Sequence, residues 1–136
     1  MKKIITILLI ALTFVTVSCK KPAGEGGNST ITGSVHVTNY NSTFTAVNND
    51  YPGADLDVYI IYGDDVTYGN KTKTDPNGIF EFKYLRKGTY RVYVYSKDKA
   101  GYLAGDHNAP DKAVYASGEI TGKKQTSDVG TLEVID

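Results

Sequence analysis

The chain reads as an all-β protein, a seven-stranded antiparallel sandwich. Three observations carry that reading. Apolar residues recur at every second position: Leu56, Val58, Ile60 and Tyr62 share one face of Asp55–Tyr62, and Tyr90, Val92 and Val94 share one face of Thr89–Tyr95. No stretch carries a comparable helical stripe. Turn chemistry punctuates the chain at short intervals, as in Asp75-Pro76-Asn77-Gly78 and Arg86-Lys87-Gly88.

Taken in order, the first element is not part of the sandwich. Met1-Lys2-Lys3 is a positively charged start, and Ile4–Val17 is a largely apolar run, the pattern of a secretion signal. Its fourteen positions fall short of the roughly 18 to 20 that a membrane-spanning helix needs. Val17-Ser18-Cys19 follows, with the only cysteine of the chain. This resembles the lipobox of bacterial lipoproteins, with Thr16 standing where that motif most often has leucine. The resemblance implies that residues 1–18 are a signal peptide, that Cys19 is acylated, and that the protein is exported and lipid-anchored, to the outer membrane in the first instance. One cysteine supports neither a disulfide framework nor a metal cluster.

Residues 19–30 then read as the lipidated cysteine and a flexible tether. Lys20–Thr30 (KKPAGEGGNST) is rich in glycine and polar groups, and eleven such residues span roughly 18 Å as a coil. Without residues 1–18 the chain has 13 basic against 15 acidic residues, a net charge of −2. No basic stripe remains, which argues against nucleic-acid binding. Residues 31–136 suffice for one core and one domain.

Within that domain the pattern predicts strands at 31–38, 55–62, 66–74, 79–84, 89–96, 113–120 and 127–135. In Asp75–Gly78, aspartate first, proline second and glycine last is the preferred order of a type I turn. Several stretches together then resemble a known family: Gly33-Ser34-Val35, Pro52–Val58, Thr74–Phe82, and Leu85 with Gly88–Val94. They are similar to the carboxypeptidase regulatory-like and collagen-adhesin B-type domains of the prealbumin-like (transthyretin-like) fold. The resemblance covers about residues 31–96 and implies a Greek-key sandwich with Phe80, Phe82, Tyr90, Val92 and Val94 inside. It carries no function with it.

Enzymes known on that fold leave no trace here. Intradiol-type dioxygenases hold iron with two tyrosines and two histidines, whereas His36 and His107 lack that spacing. Hydroxyisourate hydrolases end in Tyr-Arg-Gly-Ser, whereas this chain ends Glu133-Val134-Ile135-Asp136. The first strand has no lysine for an isopeptide bond. The oxygen-rich Asp106–Asp111 and Gly63-Asp64-Asp65 do not match EF-hand spacing. The expectation is a protein that is not an enzyme, without metal or cofactor.

A binding module remains, and alternating strand direction places its loops. Residues 39–54, 75–78 and 97–112 should gather at the end far from the anchor, roughly 20 to 25 Å away at about 3.3 Å per residue. There Tyr40, Phe44, Tyr51, Tyr102, Asp106, His107 and Asn108 mix rings with hydrogen-bonding groups and form the candidate site for a glycan or an envelope or surface protein. A second surface comes from the outward positions of two strands, Tyr59, Ile61, Arg91, Tyr93 and Tyr95. It reads either as a partner surface or, preferably, as cross-strand pairing that stabilises the sheet. The alternative function is a structural or pilus-like assembly subunit.

Overall fold

The computed structural model describes residues 21–136; Cys19, Lys20 and the signal segment lie outside the described residues. Eight strands and one short helix follow in order: β1 (Glu25–Tyr40), β2 (Val47–Pro52), β3 (Asp57–Tyr62), β4 (Asn70–Lys73), β5 (Ile79–Leu85), β6 (Gly88–Ser96), α1 (Lys99–Leu103), β7 (Lys112–Ile120) and β8 (Thr126–Ile135). They form two four-stranded sheets. In the first, the long β1 is central: β2 and β5 pair with successive parts of β1 and β8 also pairs with it. The second has the order β4-β3-β6-β7.

Alternation builds the core between the sheets. Ile31, Val35 and Val37 of β1, Phe80, Phe82 and Leu85 of β5, and Leu132 and Val134 of β8 face Val58 and Ile60 of β3, Tyr90, Val92 and Val94 of β6, and Ile120. All are buried. Burial of this apolar face is what makes a pleated sheet with period-two patterning fold onto another.

Three expectations need correction. The strand count is eight, not seven, because β2 lies inside the predicted loop 39–54. Its sequence, VNNDYP, is exposed at every position and shows no alternation; hydrogen bonding to the outer half of β1 alone makes it a strand. The sheets are not purely antiparallel, since β1 and β8 run parallel over Thr30–Thr38. The predicted strand 66–74 shrinks to Asn70–Lys73, with residues 66–69 in a loop.

The segment read as a tether belongs to the domain from Pro22 on. The Arg86 Nε donates to the Pro22 carbonyl at 2.8 Å and the Arg86 amide to the Gly24 carbonyl at 2.8 Å. The buried Tyr90 hydroxyl accepts from the Gly24 amide at 2.9 Å and donates to the Arg86 carbonyl at 2.6 Å. Ser29, also buried, is tied to the β7–β8 turn: its Oγ donates to the Gly122 carbonyl and accepts from the Gln125 amide, both at 3.1 Å. A glycine-rich stretch packs here because its backbone contacts at Pro22 and Gly24 are joined by the polar side chains of Glu25, Asn28 and Ser29.

The turn Asp75–Gly78 forms as its residue types require. Asp75 Oδ1 accepts from the Asn77 and Ile79 amides at 2.8 and 2.9 Å. Gly78 has φ 77°, and a Cβ there would stand 2.5 Å from the Val35 carbonyl oxygen, so only glycine fits.

Candidate functional site

The first of two side-chain clusters lies at the end of the sandwich where β1 and β8 finish. The β1–β2 connection and the segment after β6 meet there around the chain terminus: the Tyr40 amide donates to the Asp136 carbonyl at 2.9 Å, and the Lys97 amide to the Ile135 carbonyl at 3.0 Å. Between them is a cleft of about 380 Å³. Its rings are Tyr40, Phe44, Tyr102 and His107. Phe44 stands edge-on to Tyr102 at 5.0 Å between ring centres and 6.0 Å from Tyr40, and His107 closes on Tyr102 at 4.5 Å. Lys99 Nζ sits 3.9 Å above the Tyr40 ring, a cation–π contact.

The β1–β2 connection explains how Phe44 reaches this position. Asn41 Oδ1 accepts from the Thr45 and Ala46 amides, and the Phe44 amide donates to the Asn41 carbonyl at 2.9 Å. The tight loop so formed holds Phe44 at φ 53°, a left-handed conformation that costs a bulky residue about 1 to 2 kcal/mol. An aromatic is thus kept half-buried in the cleft at a conformational cost.

Carboxylates supply the polar part. Asp98 accepts from Lys112 Nζ at 3.0 Å, which holds its carboxyl below the usual range. Asp136 pairs with Lys97 at 3.4 Å. Asp106 and Asp111 line the cleft without an ion pair among the described residues. Four carboxylates with hydroxyls and an imidazole make an acceptor-rich, net-acidic rim around the rings.

Of the seven predicted residues, Tyr40, Phe44, Tyr102, Asp106 and His107 come together here. Tyr51 does not: it lies on β2 and lines an adjoining hollow with Val37, Leu56 and Tyr95, which shares Lys97, Asp111 and Asp136 with the cleft. Asn108 lies beside the cleft, its amide donating to Asp106 Oδ1 at 3.1 Å, and does not line it. The turn 75–78 packs on Val35 and Gly53 instead. The sequence reading missed Asp98, Lys99, Asp111 and Asp136. Lys99 could have been found from the Lys-Asp-Lys run before the aromatic segment; Asp136 depends on the parallel β1–β8 pairing.

The second cluster covers the outer face of the second sheet. Tyr59 and Tyr93 are directly paired across β3 and β6 and stack at 4.9 Å with planes 13° apart. Tyr115, opposite Tyr93 on β7, adds a ring at 5.3 Å. Tyr95 meets both Tyr59 and Tyr93, and Tyr68 from the β3–β4 loop meets Tyr59 at 5.0 Å. The predicted Ile61 and Arg91 are paired on the same face, but Ile61 and Tyr93 are only 4% and 8% exposed. Burial first, then Tyr95, pushes the Tyr93 phenol up to about 12. Tyr68 and Tyr115 were not anticipated; the alternation in KAVYASGEI carries the signal for Tyr115.

His36 lies on the open outer face of the first sheet, with Glu133 at 3.1 Å and Asp50 at 3.7 Å. No group of three or more histidine, cysteine, aspartate or glutamate residues suited to a metal ion occurs among the described residues. No helix among them is long and apolar enough to cross a membrane.

No family model and no curated protein matches the chain. A solved structure from Pseudomonas aeruginosa, of a protein provisionally described as carbohydrate-binding, is similar with a TM-score of 0.43 at 14% identity, covering 84% of this chain and 92% of that one.

Proposed function

We propose that this is a lipid-anchored cell-envelope lipoprotein whose prealbumin-like, Greek-key sandwich acts as a non-catalytic binding module, with a glycan as ligand of the tip cleft. One observation carries the ligand reading: Phe44 is held in a left-handed conformation with its ring between Tyr40 and Tyr102, in a cleft also lined by Asp106 and Asp111. A residue kept in place at a conformational cost points to function. Ring faces accept the apolar faces of sugars, and carboxylates accept their hydroxyl protons. The net-acidic rim favours a neutral or amine-bearing saccharide over an anionic one.

The lipoprotein part rests on the sequence, Val17-Ser18-Cys19 after a charged start and an apolar run. On this reading the protein is exported across the inner membrane and anchored to the outer membrane. The cleft test is titration of neutral and amino-sugar oligosaccharides by NMR or calorimetry against the protein and its Phe44→Ala variant. Phe44→Ala should weaken binding at least tenfold, about 1.4 kcal/mol, without lowering the melting temperature. Unchanged affinity in that variant removes the cleft from consideration. The anchor test is Cys19→Ser, which should abolish acylation and release the protein from membranes.

A further inference from the structure

The other end of the sandwich is built from the start of β1, the β5–β6 turn and the β7–β8 turn. These surround a hollow of about 950 Å³ lined by Lys21, Arg86, Lys87 and Lys123, with Glu119 the only carboxylate. Lys124 follows in the same turn. None of these five cations makes an ion pair among the described residues; elsewhere Lys71, Lys73, Lys83, Lys97 and Lys112 each meet a carboxylate, Lys99 lies over the Tyr40 ring and Arg91 donates to the Asp65 carbonyl, so this end gathers the largest group of cations without a carboxylate partner. Glu25 is engaged by Tyr62 and Asn70, and Asp64 and Asp65 belong to the adjoining β3–β4 loop, off the hollow.

The chain enters the domain at this same end. Pro22 and Gly24 are tied to Arg86 by the hydrogen bonds at 2.8 Å described above. Cys19 is three residues before Pro22. Three residues of trans chain reach about 10 to 11 Å at most, well below the roughly 18 Å of an eleven-residue coil. An acyl group on Cys19 would therefore keep Pro22, where the chain enters this end of the domain, within about 10 to 11 Å of the anchoring point, comparable with the Debye length of roughly 8 Å at physiological salt.

We propose that this end is a membrane-docking face: Lys21, Arg86, Lys87, Lys123 and Lys124 rest on the phosphates of anionic phospholipid headgroups. The orientation rests on the lipid-anchor reading; the charge match does not need the acyl chain. Each cation near an anionic surface strengthens attachment by about fivefold. The sandwich then stands directly on the bilayer, its cleft facing away.

The mature chain from residue 19 onward, carrying Cys19→Ser, separates the two ideas because it has no lipid. Its sedimentation with phosphatidylcholine vesicles containing phosphatidylglycerol is compared with that on pure phosphatidylcholine. Binding to the anionic vesicles alone, weakened by added salt and by about a hundredfold in Lys87→Gln/Lys123→Gln/Lys124→Gln, is the expected result. The three lysines lie on surface turns, and an unchanged melting temperature for the triple variant verifies that it folds. No binding to anionic vesicles, equal binding to both kinds, or a triple variant that binds as well as its parent would overturn the docking face. Mass spectrometry of the N-terminus of membrane-extracted protein reports on acylation independently.

Discussion

The two sheets turn similar apolar faces inward and very different faces outward. On the first sheet the outer side chains satisfy one another in polar pairs: Ser34 with Thr131 at 2.8 Å, His36 with Glu133 at 3.1 Å, Glu81 with Lys83 at 3.1 Å. On the second, five tyrosines lean together until the central one, Tyr93, is 8% exposed. Polar pairs in water contribute little, because solvent competes for every donor and acceptor. Stacked rings exclude that solvent from one another. The second sheet thus carries a small apolar cluster outside the main core, and a side chain that points away from the core is not for that reason exposed.

Substitutions can test this contrast. Phe80→Ala, on the inner face, should cost about 3 to 5 kcal/mol in denaturant unfolding and sets the reference. Tyr93→Ala should cost about 2 to 3 kcal/mol, since it strips the stacking partner from Tyr59 and Tyr115 and opens a gap. A cost below about 1 kcal/mol would show that the cluster is mere surface decoration. Alkaline titration probes Tyr93 by another route, together with Tyr62, which packs on the core side against Tyr90. Tyr93 and Tyr62 are both raised to about 12 by burial, with Tyr95 and Glu25 as the next contributions. The folded state therefore holds their protons more tightly than the unfolded chain, whose phenols ionise near about 10. Stability from these groups is complete below about pH 10 and is lost as pH rises through about 12. Ultraviolet-monitored phenol ionisation alongside melting curves should show both effects. The smallest change belongs to the first sheet: Ser34→Ala should cost no more than about 0.5 to 1 kcal/mol.

Strand faces with clean alternation were readable from the sequence, because burial on one side forces apolar residues onto every second position. That is why Val58, Ile60, Tyr90, Val92, Val94, Phe80 and Phe82 are core residues as expected. β2 was not readable, because an exposed strand of asparagine and aspartate is fixed by its partner and not by its own side chains. The docking of Pro22–Ser29 escaped for a related reason: its partners, the Tyr90 hydroxyl, Arg86, Gly122 and Gln125, all lie in chain remote in sequence. In the cleft, side chains within one connection could be grouped by inspection. Tyr51 stands apart from the rings near Tyr40, since β2 carries it into the adjoining hollow that shares Lys97, Asp111 and Asp136 with the cleft.

The place of β1 has a consequence for how the chain comes into being. Ser34 and Thr131, hydrogen-bonded across β1 and β8, are 97 positions apart, so β1 waits for β8 before its sheet is complete. If the chain is exported N-terminus first, as proposed, it would stay open through most of its passage. The tie between Pro22 and Arg86 likewise forms only after β5 has arrived. For the proposed anchor this would set an order of events: modification of Cys19 would come before the tie between Pro22 and Arg86 closes the domain beside it.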